Sequence, residues 1–138
     1  MYAGAVSCSP TVSHVIPRGS EVGGVTSLGD DVFVVRSNGQ QRIEVYDANT
    51  FTLQRHITVP GLVGYSSGLA ACPYNNCLYA SDSLFNNNSI HRVDLSGSSE
   101  VMKWSVARSP RGLSLNSEHN LLVLSQDDRR LQIVFTVQ

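Results

Sequence analysis

Charge is scarce in this chain. Only 15% of its 138 residues are Asp, Glu, Lys or Arg, and the formal net charge is −1, while 41% are hydrophobic. That balance excludes a disordered chain, which would need more charge and fewer apolar residues. No stretch approaches the roughly 18 consecutive apolar residues of a transmembrane helix, so a helical membrane protein is excluded as well. Residues 1–10 carry neither a basic start nor a long apolar run, so no signal peptide is expected and the expected compartment is the cytoplasm. Helical periodicity is missing: nowhere do apolar residues recur at a 3.6-residue spacing for more than a turn or two. Cysteines number three, and His14, His56, His91 and His119 stand apart from one another. A zinc site needs ligands at close spacing, so neither metal nor cofactor is expected. Gly19, Gly23 and Gly24 precede a strand, without the helix that a phosphate-cradling loop feeds.

What the chain does have is repetition. Gly24-Val25-Thr26-Ser27-Leu28 returns 44 positions later as Gly68-Leu69-Ala70-Ala71-Cys72, and after a further 44 as Gly112-Leu113-Ser114-Leu115-Asn116. Each is followed by an apolar segment: Val32-Phe33-Val34-Val35, Leu78-Tyr79-Ala80 and Leu121-Leu122-Val123-Leu124. A second echo joins Arg42-Ile43-Glu44-Val45-Tyr46-Asp47 to Ser89-Ile90-His91-Arg92-Val93-Asp94 and, more loosely, to Leu131-Gln132-Ile133-Val134-Phe135. A strand-rich period of about 40–50 residues marks the blades of a propeller.

The punctuation between these segments is turn chemistry. Asn38-Gly39 supplies the positive φ of a tight hairpin between residues 32–37 and 42–47. Asp47-Ala48-Asn49-Thr50 turns the chain into an outer strand, residues 51–59, to which Phe51, Leu53, Ile57 and Val59 are expected to lend apolar contacts. The second copy predicts strands at 68–72, 77–82, 90–95 and 100–106. The expected fold is therefore all-β, with blades of four antiparallel strands and about 2.5 to 3 blades in the chain. Its parts are an N-terminal segment, residues 1–23, with one strand at 11–16, then blades at 24–67 and 68–111 and an incomplete one at 112–138.

These repeats resemble those of the NHL and related six-bladed, TolB-like propellers, whose pattern runs Gly-x-Ala, a turn, Leu-Tyr-Val-x-Asp, an Asn-containing loop and then a pair such as Arg-Ile. The match is best at Gly68-Leu69-Ala70, Cys77-Leu78-Tyr79-Ala80-Ser81-Asp82 and Asn86-Asn87-Asn88-Ser89-Ile90, and it extends from Gly24 onward. The first copy departs with Arg36-Ser37 and the third with Ser125-Gln126, so one repeat alone keeps the aspartate. The resemblance implies a propeller; propellers of this group include RNA binders, protein-docking scaffolds and a few enzymes.

Propellers close with four to eight blades, and four blades of this period exceed 138 residues. Two readings follow. The chain is a piece of a larger ring, or it is a half-ring that pairs with a second copy as a six-bladed homodimer.

In such a ring the loops sort onto two faces. One is expected to collect Arg18, Arg42, Arg108, Arg111, Arg129 and Arg130 against Glu21, Asp82, Asp127 and Asp128. The other collects Asp30, Asp31, Asp47, Asp94, Glu100 and Glu118 with no Lys or Arg. The arginine face suits an acidic partner or a nucleic acid, with Tyr65 and Phe85 placed to stack on a base or grip a peptide side chain. Arg108-Ser109-Pro110-Arg111 sets two cations beside a rigid proline. Tyr46 and Tyr79 are expected in the core, and Trp104 between blades.

Cys72 and Cys77 flank a four-residue turn, a spacing that suits either a disulfide or two small apolar residues between strands. The second is preferred because Cys8 is left over. Ser117-Glu118-His119 has a hydroxyl beside a base but lies where the repeats place a turn. Asp127-Asp128 adjoins Arg129-Arg130, which compete for any cation, and Asn87-Asn88-Ser89 is a glycosylation sequon that matters only in a secreted protein. The inner strands contain no His, Asp or Glu. The chain thus reads as a non-catalytic scaffold for a protein partner. Single-stranded RNA binding is the first alternative, and a remnant of a propeller-type hydrolase or lyase the second.

Overall fold

Alternation of side chains along an extended backbone decides this architecture, because a strand with period-two hydrophobicity buries one face at a time. The structure, a computed structural model, describes residues 22–36, 40–62, 68–82, 89–95, 101–105, 110–125 and 130–134, with the side chains of residues 101–105, 111, 125, 130, 132 and 134 outside that description. The described strands form three antiparallel sheets. Sheet 1 contains β1 (Val22–Leu28), β2 (Asp31–Arg36), β3 (Arg42–Asp47) and β4 (Leu53–Thr58) in sequential order. Sheet 2 repeats the order with β5 (Leu69–Cys72), β6 (Cys77–Asp82), β7 (Ser89–Asp94) and β8 (Val101–Ser105). Sheet 3 consists of β9 (Pro110–Leu115), β10 (Leu121–Ser125) and β11 (Arg130–Val134).

Every sheet is a meander, and the sheets stack face to face with their first strands side by side: β5 packs against both β1 and β9. Between sheets 1 and 2 lies one core, in which Phe33, Val35, Ile43, Val45 and Ile57 meet Leu69, Leu78, Ala80 and Val93. A second core fills the space between sheets 2 and 3, where Cys72, Cys77, Tyr79 and Ile90 meet Leu121 and Val123. Burial of each large aliphatic or aromatic side chain contributes about 1.5–3 kcal/mol, so these two layers supply the main stabilisation.

The register matches the sequence repeat. Val32, Leu78 and Leu121 occupy equivalent places on the second strands, and Leu28 and Asp31 pair across their turn as Cys72 and Cys77 do. In sheet 3 the equivalent pair is Asn116 and Asn120, joined by a backbone hydrogen bond of 3.0 Å. Positive φ closes these turns at Gly29 (60°), Asn76 (51°) and His119 (67°).

One expectation fails at the outer strand of sheet 1. Phe51 lies ahead of β4 with φ of 59°, and both it and Leu53 are exposed, so that only Ile57 and Val59 reach the core. The cause is local: Asp47 Oδ1 accepts the amides of Asn49 and Thr50 at 2.7 and 2.9 Å, and Phe51 N donates to the Asp47 carbonyl. This turn carries the chain through Phe51 before the strand begins. The strand expected at 11–16, the Asn38-Gly39 turn, and Glu21, Glu100, Asp127 and Asp128 lie outside the described residues.

Candidate functional site

Of the eight residues nominated for partner binding, Arg42 is the one whose side chain is described. Arg18, Tyr65, Phe85, Arg108 and Arg129 lie outside the described residues, and Arg111 and Arg130 are placed on β9 and β11 by their backbones alone. Arg42 opens β3, about one-third exposed, with Nη2 at 4.0 Å from Glu44 Oε2. Its charge is therefore partly balanced. Asp82, counted among the acids of the same face, is fully buried at the end of β6 opposite Ser89 and does not reach the surface of that face.

A polar cluster that the sequence reading missed sits beside Arg42. Arg36 Nε donates to Glu44 Oε1 at 3.1 Å, Arg36 Nη2 donates to the Tyr46 hydroxyl at 3.2 Å, and that hydroxyl donates to Glu44 Oε1 at 2.8 Å. Burial opposes ionisation of Glu44, but Tyr46 and Arg36 together outweigh it and hold the carboxyl below its usual range. The signal was present in the sequence: Glu44 and Tyr46 are two apart on one strand, and hairpin pairing brings Arg36 to the same face.

The opposite end of the sheets is built of hairpin turns. Ala48 N donates to the Asp30 carbonyl at 2.8 Å and Leu95 N to the Asn76 carbonyl at 3.0 Å, so neighbouring turns within a sheet brace one another. Asp47 at its turn is ionised below the usual carboxylate range because the Thr50 and Asn49 amides point at it. Asn116 plays the same part in sheet 3, accepting the amides of Glu118 and Asn120 at 3.0 and 2.9 Å. Ser117-Glu118-His119 is thus a turn held by Asn116. The His119 ring stacks flat on Tyr74, with centroids 4.7 Å apart and planes 6° apart, which ties the turn of sheet 3 to that of sheet 2. Tyr74 is 64% exposed, the largest aromatic surface among the described residues. In the sequence nothing beyond its place in the turn between Cys72 and Cys77 marks it.

Cys72 and Cys77 are direct cross-strand neighbours, fully buried, and both are free thiols. Burial pushes the Cys77 thiol up, against the opposing pull of Tyr79 and Arg92. His91 is buried on the other face of sheet 2, beneath Gly61; a Cβ added to that glycine would sit 3.6 Å from His91 Nε2. Among the described residues no three His, Cys, Asp or Glu side chains gather where a metal ion could be held, and no helix long and apolar enough to cross a membrane occurs among them.

No family model and no curated protein matches this chain. Solved structures do. A Myceliophteria thermophila Cps50 (Swd1) β-propeller domain superposes with a TM-score of 0.65 at 16% identity, over 88% of this chain and 38% of that one. The fold is a partial β-propeller. Its three sheets are blades, the last of them described as far as its third strand. A chain of the Mitotic Checkpoint Complex gives a TM-score of 0.66 at 14% identity over 85% and 36%, and Kuenenia stuttgartiensis hydrazine synthase gives 0.60 at 15% over 97% and 40%. The chain spans about two fifths of the length of the structures it matches.

Proposed function

We propose that this chain is part of a non-catalytic propeller scaffold of the NHL type that binds another protein, and that the hairpin-turn face carries the contact. The observation behind this reading is Tyr74, largely exposed yet held flat against His119. A rigid aromatic surface that loses little entropy on binding is the usual anchor of a protein interface. Asp30, Asp47 and Glu118 lie on the same face, so a segment carrying Lys or Arg beside an apolar side chain fits it. The Mitotic Checkpoint Complex match adds that a related fold works within a protein assembly. A catalytic role for Ser117-Glu118-His119 is disfavoured because His119 is already stacked on Tyr74.

Single-stranded RNA on the arginine-bearing loops is the competing reading, and Arg42, close to Glu44, lends it little free charge. Panning a phage-displayed random peptide library against the immobilised chain separates the two. Enrichment of basic-aromatic peptides whose binding Tyr74→Ala abolishes is the expected result. Absence of enrichment, together with salt-dependent binding of a fluorescent oligouridine, would replace the protein reading with the RNA one.

A further inference from the structure

The first strands of the three sheets run side by side, with β5 between β1 and β9, so the turns they feed form an arc along the hairpin-turn face. In chain order these turns are Gly29-Asp30, Pro73-Tyr74-Asn75-Asn76 and residues 116–120. The arc holds Asp30, with Asp31 just beyond it, and Glu118, and it contains no Lys or Arg. Asp30 and Glu118 are exposed. Acids at turns are ordinary, and by themselves they make no site. Tyr74 distinguishes this arc, because it stands in the middle turn between the two acidic ones.

Its ring has two unlike faces. One lies on the His119 imidazole, with planes 6° apart and centroids 4.7 Å apart. With that face covered, an exposure of 64% leaves the opposite face in water. The stack is anchored on both sides. Tyr74 follows Pro73, whose ring fixes its own φ, and His119 sits at a φ of 67° in a turn whose Glu118 and Asn120 amides are held by Asn116 Oδ1. The open face of the ring is therefore set in direction before any partner arrives.

An aromatic face attracts a cation, and the carboxylates in the turns on either side add negative potential. Two side chains supply a cation, and they differ in how tightly they hold water. The lysine ammonium is a compact, strongly hydrated charge, whereas the guanidinium of arginine is planar, weakly hydrated and lies flat on a ring while its edge keeps N–H groups for carboxylates. Ring and flanking acids thus converge on the same group.

We infer that the open face of Tyr74 seats an arginine side chain of the partner polypeptide, whose N–H edge is drawn by the carboxylates of the flanking turns. This rests on the reading of the turn face as a protein contact and narrows it from any basic segment to one that brings arginine.

Two phage libraries test it: random heptapeptides with the central position fixed as arginine in one and as lysine in the other. Each is panned against the immobilised 138-residue chain and against its Tyr74→Phe and Tyr74→Leu variants. The position is exposed, and thermal melts check that each variant folds; Tyr74→Ser, a residue that suits turns, replaces Tyr74→Leu if the latter does not. On the wild type the arginine library is expected to enrich about fivefold or more over the lysine library, and Tyr74→Phe to keep that ratio. Tyr74→Leu retains apolar bulk without a π face and should bring the two libraries level. Equal enrichment of both on the wild type, lost in Tyr74→Leu, overturns the arginine seat and leaves a protein contact at Tyr74 standing. An arginine preference that survives Tyr74→Leu also overturns it, since the cation then sits elsewhere. Failure of both libraries to enrich removes the protein contact together with the arginine.

Discussion

Arg36 and Glu44 meet across the β2–β3 pair at 3.1 Å, each with only 11% of its side chain exposed. Because the folded carboxyl titrates below its ordinary value of 4.5, the stability it contributes is complete above about pH 4.5 and is lost as pH falls through the lower folded value. The chain is therefore expected to weaken in acid, and Asp47, shifted the same way by its backbone hydrogen bonds, adds to that loss. Glu44→Gln should cost about 1–3 kcal/mol near neutral pH, the range for a charged hydrogen bond in a half-buried site, and should flatten the acid limb. Urea denaturation midpoints at neutral pH and at about pH 3 check both points; equal losses for variant and wild type between the two would count against Glu44.

Removal of the Tyr74 ring should separate two turns without opening either core. Tyr74→Ala is expected to cost about 0.5–1.5 kcal/mol and Tyr74→Phe to cost less, since stacking and not the hydroxyl makes the contact with His119. Thermal melts of the two variants give the comparison, and an equal loss from both would assign the effect to the hydroxyl.

Both described thiols should be protected in the folded chain. Cys72 and Cys77 are fully buried, and desolvation holds Cys77 in its unreactive protonated form. An aromatic disulfide reagent is expected to label them only on the timescale of unfolding, measured by mass spectrometry after proteolysis. Fast labelling of either in native buffer would contradict the packing of Tyr79 and Leu121 over them. A native disulfide between them would leave both unlabelled even in denaturant.

Equivalent positions should respond unequally to truncation. Ile43→Ala is expected to cost about 2–5 kcal/mol, the range for emptying a core site, whereas Leu131→Ala at an exposed position should stay within about 0.5 kcal/mol. Urea denaturation of the two variants measures both. A large loss at Leu131 would contradict its exposure.

Much of the fold was legible because its determinants are local. The 44-residue spacing of Gly24, Gly68 and Gly112 and the alternation at Val32, Leu78 and Leu121 fix which side chains share a face, and the structure keeps that register. Phe51 escaped because the Asx turn at Asp47 overrides its apolar character, and no hydrophobic pattern reports a turn that the chain completes with a residue at positive φ. The Tyr74–His119 contact joins residues 45 positions apart in sequence. It depends on how two turns of different length approach, which strand periodicity does not encode. The Arg36–Glu44–Tyr46 cluster is encoded in the two-residue spacing of Glu44 and Tyr46, but it needs the β2–β3 register to bring Arg36 onto their face.

The outermost strand of sheet 1 is the plainest in the molecule: Gln54, Arg55, His56 and Thr58 all face solvent along β4. Charge and polarity on a free edge discourage another strand from adding to it, the route by which β proteins form fibrils. The same polar side chains that leave β4 without a hydrophobic partner strand thus oppose cross-β growth outward from sheet 1.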